Sequence, residues 1–391
     1  DPQVTTAYNV PTGGLRHPWL TLKLMHLIAS YDDTVPLNYG LFENVTVSVP
    51  KGTILNPEFP AAVGVRHATA IRINDTIVGA IAKALPGLTP APSGGTVVPT
   101  VLAEADEASG ARKVTVIQSL VGGTGARPGA DGVDGRDSGL ANLFNTPLER
   151  TEADCGVVIE EYGLRPDSGG PGQWRGGTGL VMSFRILRSG SAVLGRGLER
   201  FVFRPWGVAG GGAGARCRVL VNADTPHARD LGKLDVYEAE EGDLITILTA
   251  GGGGFGDPFT RDPEAALRDV RAGFVTVEAA ARDYGVAVRE GQLDLAATTA
   301  LRASAAARPD FGFGPERDAW ERVFDDALMN AMVERLLRLP VQRRHALRRR
   351  LFEAALPGLR GYSGVDIGRL ITDPAAQREA LADAMATWLP D

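Results

Sequence analysis

The chain has 391 residues, of which 44% are hydrophobic, and its formal net charge at pH 7 is -6. This length and hydrophobic content allow one large domain or two ordinary ones with a sizeable core. No segment combines dense Lys and Arg with aromatic residues, and no apolar run approaches the roughly 18 residues of a membrane span, so we expect neither nucleic acid nor membrane as a partner.

The cysteine content and the first residues bear on compartment and completeness. Cys155 and Cys217 lie far apart and lack the paired short spacings of a zinc site. We expect both to be buried and reduced, as in a cytoplasmic protein. The sequence begins with Asp-Pro-Gln rather than Met, and we expect it to be part of a longer polypeptide.

Hydrophobic periodicity divides the chain into a mixed part and a helical part. Helical spacing of apolar residues predicts helices over residues 20–30 and 68–85. Alternating or β-branched segments predict strands over residues 44–50, 113–119, 156–164, 179–187, 216–221 and 243–249. Beyond residue 260, capping patterns and helix formers predict helices over residues 262–272, from 276, and over 315–339, 341–356 and 373–388.

Glycine content changes near residue 260, because most of the 49 glycines precede that point. The predicted fold class is therefore α+β: a β-rich glycine-loop core with flanking helices over residues 1–260, followed by an α-helical carboxy-terminal extension over 261–391. We interpret the extension as a docking or lid element. Its cluster of Arg343, Arg344, His345 and Arg348 to Arg350 indicates either an anion site or, more simply, a solvated helix face or subunit contact.

Four segments carry most of the functional information, and the first, third and fourth of them are rich in glycine. They are Val121–Gly132, Asn142–Glu149, Tyr162–Gly179 and Ala250–Pro258. Glycine at this density indicates either close approach of backbones between sheets or backbone packing around a ligand, and glycine alone does not decide between these alternatives.

The first segment follows a predicted strand and contains Gly-Gly-Thr-Gly-Ala-Arg at 122–127. Such a loop can present backbone N–H groups and a guanidinium to a carboxylate or phosphate, although a structural turn has the same composition. It is not a P-loop, because the GK[ST] ending is absent. In the second segment, Asn145-Thr146-Pro147 suits either a polar site or an Asx-type turn.

The candidate substrate- or anion-binding residues are Gly122, Gly123, Thr124, Gly125, Arg127, Asn145, Thr146, Arg165 and Ser168. Catalytic residues cannot be assigned, because the five histidines show no metal-binding spacing and no G-x-S-x-G motif exists. The residues alone indicate a glycine-rich protein whose loops are able to accommodate an anion, and they do not by themselves establish an enzyme.

Taken in order, these segments resemble the B-type subunits of N-methylhydantoinases, whose relatives include 5-oxoprolinases and acetone or acetophenone carboxylases. The resemblance extends from residue 1 to about 290. It rests on phrases such as Thr-Ile-Leu-Asn-Pro at 53–57, Gly-Gly-Thr-Gly-Ala-Arg-Pro-Gly at 122–129, Arg-Pro-Asp-Ser-Gly-Gly at 165–170 and Gly-Gly-Gly-Gly-Phe-Gly-Asp-Pro at 251–258.

The resemblance implies a partner, cofactors and a missing region. It implies an A-type subunit that uses ATP and Mg²⁺, and an amino-terminal B-type region that carries the family's divalent metal site and is not in this chain. We therefore assign no metal ligand here. Many relatives also have a histidine-containing phrase before Asn-Thr-Pro, where this chain reads Gly-Arg-Asp-Ser-Gly-Leu-Ala-Asn at 135–142, so a base or ligand of that kind is missing.

Three functions agree with the resemblance. The first is a B-type subunit of an ATP-dependent cyclic amide hydrolase, in which Arg127 and Arg165 hold an anionic intermediate and glycine amides act as neutral donors. The second is a subunit of an ATP-dependent ketone carboxylase, acting on acetone or acetophenone in the same site. The third is a structural subunit that contributes no catalytic side chain.

Overall fold

The computed structural model of the chain describes residues 1–95, 97–105, 110–136, 138, 143–195, 199–303, 305–359 and 367–389. The chain forms two compact units. One contains Asp1–Ala80 and most of the residues from Pro315 onward, and the other contains Ile81–Gly314. The boundary predicted at residue 260 rests on composition and stays a prediction, and it does not coincide with the division between these units.

Both units contain helices, and the strands that the structure describes belong to the unit Ile81–Gly314. The helices are α1 (Pro18–Tyr31), α2 (Arg66–Ala84), α3 (Leu148–Asp154), α4 (Pro263–Arg271), α5 (Val277–Tyr284), α6 (Leu295–Arg302), α7 (Pro315–Glu321), α8 (Asp326–Leu337), α9 (Val341–Ala355) and α10 (Pro374–Trp388), with 3-10 turns at Tyr39–Phe42, Pro258–Thr260 and Ile367–Arg369. The strands are β1 (Val97–Ala105), β2 (Arg112–Val121), β3 (Val157–Leu164), β4 (Leu180–Ile186), β5 (Ser191–Leu194), β6 (Gly207–Val208), β7 (Arg218–Val221), β8 (Arg229–Asp230), β9 (Val236–Ala239), β10 (Leu244–Leu248), β11 (Val288–Arg289), β12 (Gln292–Leu293) and β13 (Phe311–Gly312).

The unit Ile81–Gly314 is built on two antiparallel sheets, with strand orders β2-β1-β5-β9 and β3-β4-β10-β7-β8. Alternate residues of both sheets form one hydrophobic core, in which Leu102, Ile117 and Val193 of the first sheet join Phe184 and Ile247 of the second. Alternation directs these side chains to one face of each strand. Packing of the two faces therefore forms the main core of this unit.

Thr249 connects the ends of three strands from which glycine-rich segments depart. Its hydroxyl donates to the carbonyl of Val121 at 2.8 Å, at the end of β2, and accepts the N–H of Leu180 at 2.7 Å, at the start of β4. Thr249 itself directly follows β10 and is fully buried. The first, third and fourth glycine-rich segments are consequently gathered at one end of the two sheets.

The helices after residue 260 begin as their capping residues predict. The side chain of Asp262 accepts the N–H of Glu264 at the start of α4, and that of Thr276 accepts the N–H of Ala279 in α5. Gly285 ends α5 in the left-handed conformation at φ 60°. These helices pack through a separate apolar cluster that includes Leu267 and Ala280.

In the other unit, α9 lies against α8 and α10. The stacked rings of Trp320 and Phe324, with the ring of Phe352 edge-on to Phe324, form part of the core of this unit. Arg344 of α9 corrects our interpretation of the basic cluster as a solvated face. This guanidinium is buried and donates to the carbonyls of Leu337 and Leu339 at the end of α8 and of Gly52, at 2.8–3.0 Å. Arg344 therefore caps carbonyls inside the unit, whereas Arg343, Arg349 and Arg350 are exposed.

The α+β class is confirmed, and two of the predicted elements differ in the structure. Residues 44–50 form no strand, because the carbonyls of Val49 and Pro50 accept side-chain hydrogen bonds from Asn56 and Thr53 in an irregular loop. The single helix predicted over 315–339 is two helices, α7 and α8. Asp325 caps α8 by accepting the N–H of Leu328 at 2.9 Å, and the segment before it contains the buried Phe324.

Candidate functional site

The glycine-rich segments lie side by side as irregular backbone and are joined by hydrogen bonds between main chains; we call this arrangement the glycine bundle. The N–H of Ala126 in the first segment donates to Gly253 of the fourth at 2.9 Å. The N–H of Gly252 in turn donates to Gly177 of the third segment at 2.8 Å. The backbone around Gly212, which lies outside these segments, also joins the bundle, because the N–H of Gly254 in the fourth segment donates to the carbonyl of Gly212 at 3.0 Å.

Close packing explains why glycine is required in the bundle. A Cβ atom on Gly123 would lie 1.9 Å from the carbonyl oxygen of Gly177, and one on Gly252 would lie 1.9 Å from that of Thr124. A Cβ on Gly125 would meet the oxygen of Ala91 at 1.8 Å. Real Cβ contacts below 3.0 Å are essentially never observed, so these glycines permit backbones to touch. Of the two alternatives left open by the sequence, the structure shows close backbone approach at these positions.

Main-chain hydrogen bonds within the bundle occupy backbone amides that the sequence analysis suggested as donors to a bound anion. The N–H of Gly123 donates to Ala250 at 3.1 Å, and that of Thr124 donates to Val133 at 3.0 Å. The hydroxyl oxygen of Thr124 accepts the N–H of Val133 at 2.7 Å. A Cβ on Gly122 would lie 2.6 Å from the oxygen of Ala250, so Gly122 also faces backbone. The amides of Gly123 and Thr124 thus hold the bundle together.

Arg165 and Ser168 are placed inside the protein. The Arg165 guanidinium donates through Nη1 to the carbonyls of Arg216 at 2.7 Å and Thr249 at 2.9 Å. Burial lowers the pKa of Arg165 to about 10, since its nearby charges do not compensate for lost hydration. Ser168 is fully buried, donates to the carbonyl of Arg165 at 2.6 Å and accepts the N–H of Gly179 at 2.8 Å. These contacts give both side chains a structural role.

Arg127 has a different setting. It is exposed, and its backbone forms a tight turn in which Arg127 and Ala130 exchange two hydrogen bonds of 3.1 Å around Pro128 and Gly129. Gly129 has φ 82°, which suits this turn. In the described part of the chain, the Arg127 guanidinium has no hydrogen-bond or carboxylate partner. The turn directly follows the buried Ala126 of the glycine bundle, so the exposed Arg127 guanidinium extends from a fixed stretch of backbone.

Asn145 and Thr146 lie in the segment before α3, where Asn145 is exposed and Thr146 is half-buried. The structure shows no hydrogen bond between Asn145 and Arg127 in the described residues. Most of the phrase at 135–142 that departs from the family pattern, namely residues 137 and 139–142, lies outside the described residues. The candidate residues therefore separate into those inside the bundle and those outside it, of which Arg127 and Asn145 are exposed.

An ion network that the sequence did not predict joins the bundle to α4. Arg261 binds both carboxylate oxygens of Asp131 at 2.7 Å and also contacts Asp269 of α4 at 2.7 Å. Arg175 binds both oxygens of Asp134, at 2.8 and 3.2 Å, and its Nε lies 3.4 Å from Asp269. Asp269 consequently bridges two buried arginines that hold two acidic residues of the first glycine-rich segment and its continuation.

The electrostatics of this network differ between its carboxylates. Burial opposes ionisation of Asp131, but hydrogen bonds and charge from Arg261 outweigh it, so the pKa of Asp131 lies below its usual range. Burial raises the pKa of Asp269 despite the two arginines beside it. Burial lowers the pKa of Arg261, but its contacts with Asp131 and Asp269 raise it by more, so the net shift is upward. The network is thus a buried set of charges with a structural function.

The sequence contained only part of the signal for this network. Asp131, Asp134 and Arg175 belong to or adjoin the glycine-rich phrases, but their partners Arg261 and Asp269 lie in the region read as helical extension.

Among the described residues, no group of three or more His, Cys, Asp and Glu could hold a metal ion. Within the same residues, no helix is long and apolar enough to cross a membrane.

Comparison with known proteins identifies the family. The family model described as Hydantoinase B/oxoprolinase matches residues 1–258. The chain is 30% identical over 287 residues to the putative D-/L-hydantoinase B-type subunit of Pseudomonas sp. (strain NS671), covering 73% of this chain and 48% of that protein. It is 32% identical over 284 residues to the beta subunit of caprolactamase from Pseudomonas jessenii, covering 69% of this chain and 48% of that one.

Solved structures agree with this match. The ATP-dependent caprolactamase from Pseudomonas jessenii superposes with a TM-score of 0.64 at 26% identity, over 78% of this chain and 53% of the other. A nucleotide-free acetone carboxylase gives a TM-score of 0.60 at 17% identity, over 98% and 52%, and shares the fold. The chain thus spans about half the length of the relatives it matches. The chain belongs to the Hydantoinase B/oxoprolinase family.

Proposed function

We propose that this chain is part of the B-type subunit of an ATP-dependent cyclic amide hydrolase, which acts together with an A-type subunit that uses ATP. The observation that carries the proposal is its sequence identity of 30–32% to a B-type hydantoinase subunit and to the beta subunit of a caprolactamase, over 73% and 69% of the chain. Both names refer to cyclic amides, and both describe one subunit of a larger enzyme. A family 5-oxoprolinase from Dictyostelium discoideum, 31% identical over 238 residues, adds a third cyclic amide.

The ketone carboxylase is the second candidate, and one comparison favours it less strongly. The likeness to acetone carboxylase extends over 98% of this chain, but at 17% identity it supports a common fold and no particular substrate. The caprolactamase structure has 26% identity. We therefore rank a cyclic amide above a ketone as the substrate class.

The proposed chemistry starts from the low reactivity of amides. An amide carbonyl is a poor electrophile. Transfer of a phosphoryl group from ATP to its oxygen, with release of ADP, would make the carbonyl carbon more electrophilic. Addition of water and cleavage of the ring C–N bond would then open the ring to an acyl phosphate, which a second water would hydrolyse to release phosphate. We assign ATP and Mg²⁺ to the A-type partner. The amides of Gly123 and Thr124, which the sequence suggested for an anion such as a phosphate, are used within the bundle.

Within this proposal, Arg127 has the setting expected of a residue that holds an anionic intermediate. Its guanidinium is exposed and unpaired among the described residues, and its turn is attached to the rigid glycine bundle. A charged hydrogen bond to an anion contributes about 1.5–3 kcal/mol. Asn145 and Thr146 are further candidates for polar contacts with the substrate, whereas Gly122, Gly123, Gly125, Arg165 and Ser168 support the bundle.

The proposal also includes a compartment. Cys155 and Cys217 are both free and buried, and burial raises the pKa of Cys217 to about 12. Unpaired, unreactive cysteines suit a reducing environment, and ATP is available in the cytoplasm. We therefore propose a cytoplasmic complex.

The test is ATP consumption by the complex that co-purifies with this chain. One set of substrates contains hydantoin, 5-oxoproline and caprolactam, and the other contains acetone or acetophenone with bicarbonate. We expect ATP hydrolysis coupled to opening of a cyclic amide. Bicarbonate-dependent turnover of a ketone would instead make the chain a carboxylase subunit and overturn the hydrolase proposal.

A variant pair tests the role of Arg127 in the same complex. We expect Arg127→Ala to lower kcat/KM about 10- to 100-fold, the equivalent of one charged hydrogen bond. Arg136→Ala is the matched control, because Arg136 is also an exposed arginine close to the bundle in sequence. Equal turnover of the two variants and the wild type would support a purely structural subunit.

A further inference from the structure

The sheet β2-β1-β5-β9 has an outer side that is apolar and exposed. Its inner side packs in the main core, so side chains at alternate positions point away from that core. One row on the outer side crosses all four strands in direct register and is entirely aliphatic: Val116, Val101, Leu194 and Val236. We call this row, together with Val114 on β2, the outer apolar face.

The exposure of this face follows the position of each residue in the sheet. Val116 and Val236, on the two edge strands, are 50% and 52% exposed, and Val114 is 66% exposed. Val101 and Leu194 are half-buried, because each of them is flanked by neighbours of the same row on both sides. The gradient from edge to centre is that of an open sheet surface.

The outer side of the second sheet is polar by contrast. There Arg185 of β4 pairs with Glu160 of β3 at 2.6 Å, and Arg218 of β7 pairs with Asp230 of β8 at 3.0 Å. Such ion pairs are ordinary on a solvated face of an antiparallel sheet. An exposed aliphatic row across four strands marks an interaction site instead.

Opposite charges flank the outer apolar face at its two edges. Arg112 lies on the same side of β2 as Val114, two residues before it, and Glu238 lies two residues after Val236 on β9. Both side chains are exposed. In the part of the chain that the structure describes, neither side chain forms an ion pair or a hydrogen bond. The β2 edge of the face is therefore positive and the β9 edge is negative.

We propose that the outer apolar face binds the same face of a second copy of this chain, across a twofold axis parallel to the strands. Rotation about this axis reverses the order of the strands, so β2 of one copy lies over β9 of the other. Val116 of each copy then meets Val236 of the second copy. Arg112 of each copy lies above the β9 edge of the second copy, within reach of Glu238.

The arrangement of charges favours a second copy over an unrelated protein. Any apolar partner would cover the aliphatic row, but a positive edge opposite a negative edge is complementary to itself only after the strand order is reversed. The row also has a valine at each end, so the reversed row matches its original. Two sheets commonly pack face to face with their strands nearly aligned, and twofold dimers are the commonest oligomers. The proposal does not depend on the substrate of the enzyme.

Exchange of the two charges tests the proposal by sedimentation velocity of the purified protein, including any sequence that continues beyond residues 1–391. Arg112→Glu and Glu238→Arg each place like charges together at two positions of the dimer. We expect each variant to raise the dimer dissociation constant at least about tenfold. The double variant Arg112→Glu/Glu238→Arg restores opposite charges, and its dissociation constant is expected within about threefold of the wild type. Arg343→Glu is the control, because Arg343 is an exposed arginine of the other unit.

A cysteine pair tests the direction of the axis. The variant Val116→Cys/Val236→Cys is treated with a bismaleimide that has an ethylene spacer, and Cys155 and Cys217 are buried and do not compete. Within one chain the two new cysteines are three strand spacings apart, about 14 Å, which is too far for this reagent. We expect a covalent dimer in which position 116 of one copy is joined to position 236 of the other. Each single variant is expected to give none, because the axis places its two cysteines at opposite edges.

Four results would overturn the proposal. They are a protein that stays monomeric at all concentrations, a dimer that Arg112→Glu does not weaken, a double charge variant that does not recover, and a covalent dimer formed by Val116→Cys alone. Neither experiment requires turnover, so a missing amide hydrolase activity would leave this conclusion unchanged.

Discussion

Replacement of Gly123 by alanine tests the account of the glycine bundle most directly. The new Cβ would lie 1.9 Å from the carbonyl oxygen of Gly177, 2.3 Å from its carbon and 2.8 Å from the oxygen of Thr178. All three neighbours are backbone atoms, so no side chain can rotate away. Ordinary contact begins at 3.4 Å, and the two backbones would have to separate by about 1.5 Å to reach it.

Such a separation disrupts hydrogen bonds on both sides of Gly123. The bond from the N–H of Gly177 to Thr124, now 2.9 Å, and the bond from the N–H of Gly123 to Ala250, now 3.1 Å, lie within the affected contacts. Each backbone hydrogen bond contributes about 0.5–1.5 kcal/mol, and overpacking costs about 1–3 kcal/mol. We expect Gly123→Ala to lower the free energy of unfolding by about 3–5 kcal/mol.

Urea unfolding followed by circular dichroism measures this loss. Gly163→Ala in β3 is the matched control, because no heavy atom lies within 4 Å of its Cβ position and its φ is not positive. Alanine there is expected to leave stability unchanged or to raise it by up to about 1 kcal/mol. If both variants unfolded within about 1 kcal/mol of the wild type, the bundle would accommodate a methyl group and the close-packing explanation would be wrong.

Two further predictions concern charge. Because the folded-state pKa of Asp131 lies below its usual range, its ionised form stabilises the fold above about pH 4 and this stabilisation is lost as the pH falls through the folded pKa. Asp131→Asn should therefore lower the free energy of unfolding at pH 7, measured by urea unfolding, by about 1–3 kcal/mol relative to the wild type. Below about pH 4 the difference between the two proteins should be smaller. Arg165→Ala removes the donor to two buried carbonyls and should cost about 2–4 kcal/mol of stability while KM for the cyclic amide, measured below the unfolding range, stays unchanged. A large rise in KM with unchanged stability would assign the anion to Arg165.

Local signals in the sequence were sufficient for most helices and for four of the five strands of one sheet. Asp262 followed by Pro263 predicts the start of α4, where the Asp262 side chain does accept an N–H of the first turn. The strand β1 was not predicted, although it pairs with both β2 and β5 and completes the other sheet. Sheet membership depends on partners far along the chain, and a sequence pattern shows only the strand itself.

The site was less predictable, because the same residue types serve opposite roles. Arg127 and Arg165 both follow glycine-rich or turn sequence, yet one is exposed and the other donates to buried carbonyls. No local pattern distinguishes them, since burial of Arg165 is decided by Arg216 and Thr249, which lie 51 and 84 residues away. The bidentate pair of Arg261 with Asp131 spans 130 residues and has no local signature at all.

The structural roles of the glycines and of the ion network are connected. Irregular backbone packed on irregular backbone has few side chains to hold it in place, so its rigidity depends on hydrogen bonds and on whatever fixes its ends. Asp131 directly follows the turn of Arg127 and is held by Arg261, which also contacts Asp269 of α4. The position of the Arg127 turn is thereby set from one side by the bundle and from the other by a buried arginine. A residue that must meet an anion in a fixed geometry benefits from such support, because catalytic groups displaced by even about 1 Å lose much of their effect. Under the proposed function, this chain acts as a rigid frame that presents a small number of exposed groups, and the remaining chemistry is assigned to the rest of the proposed complex.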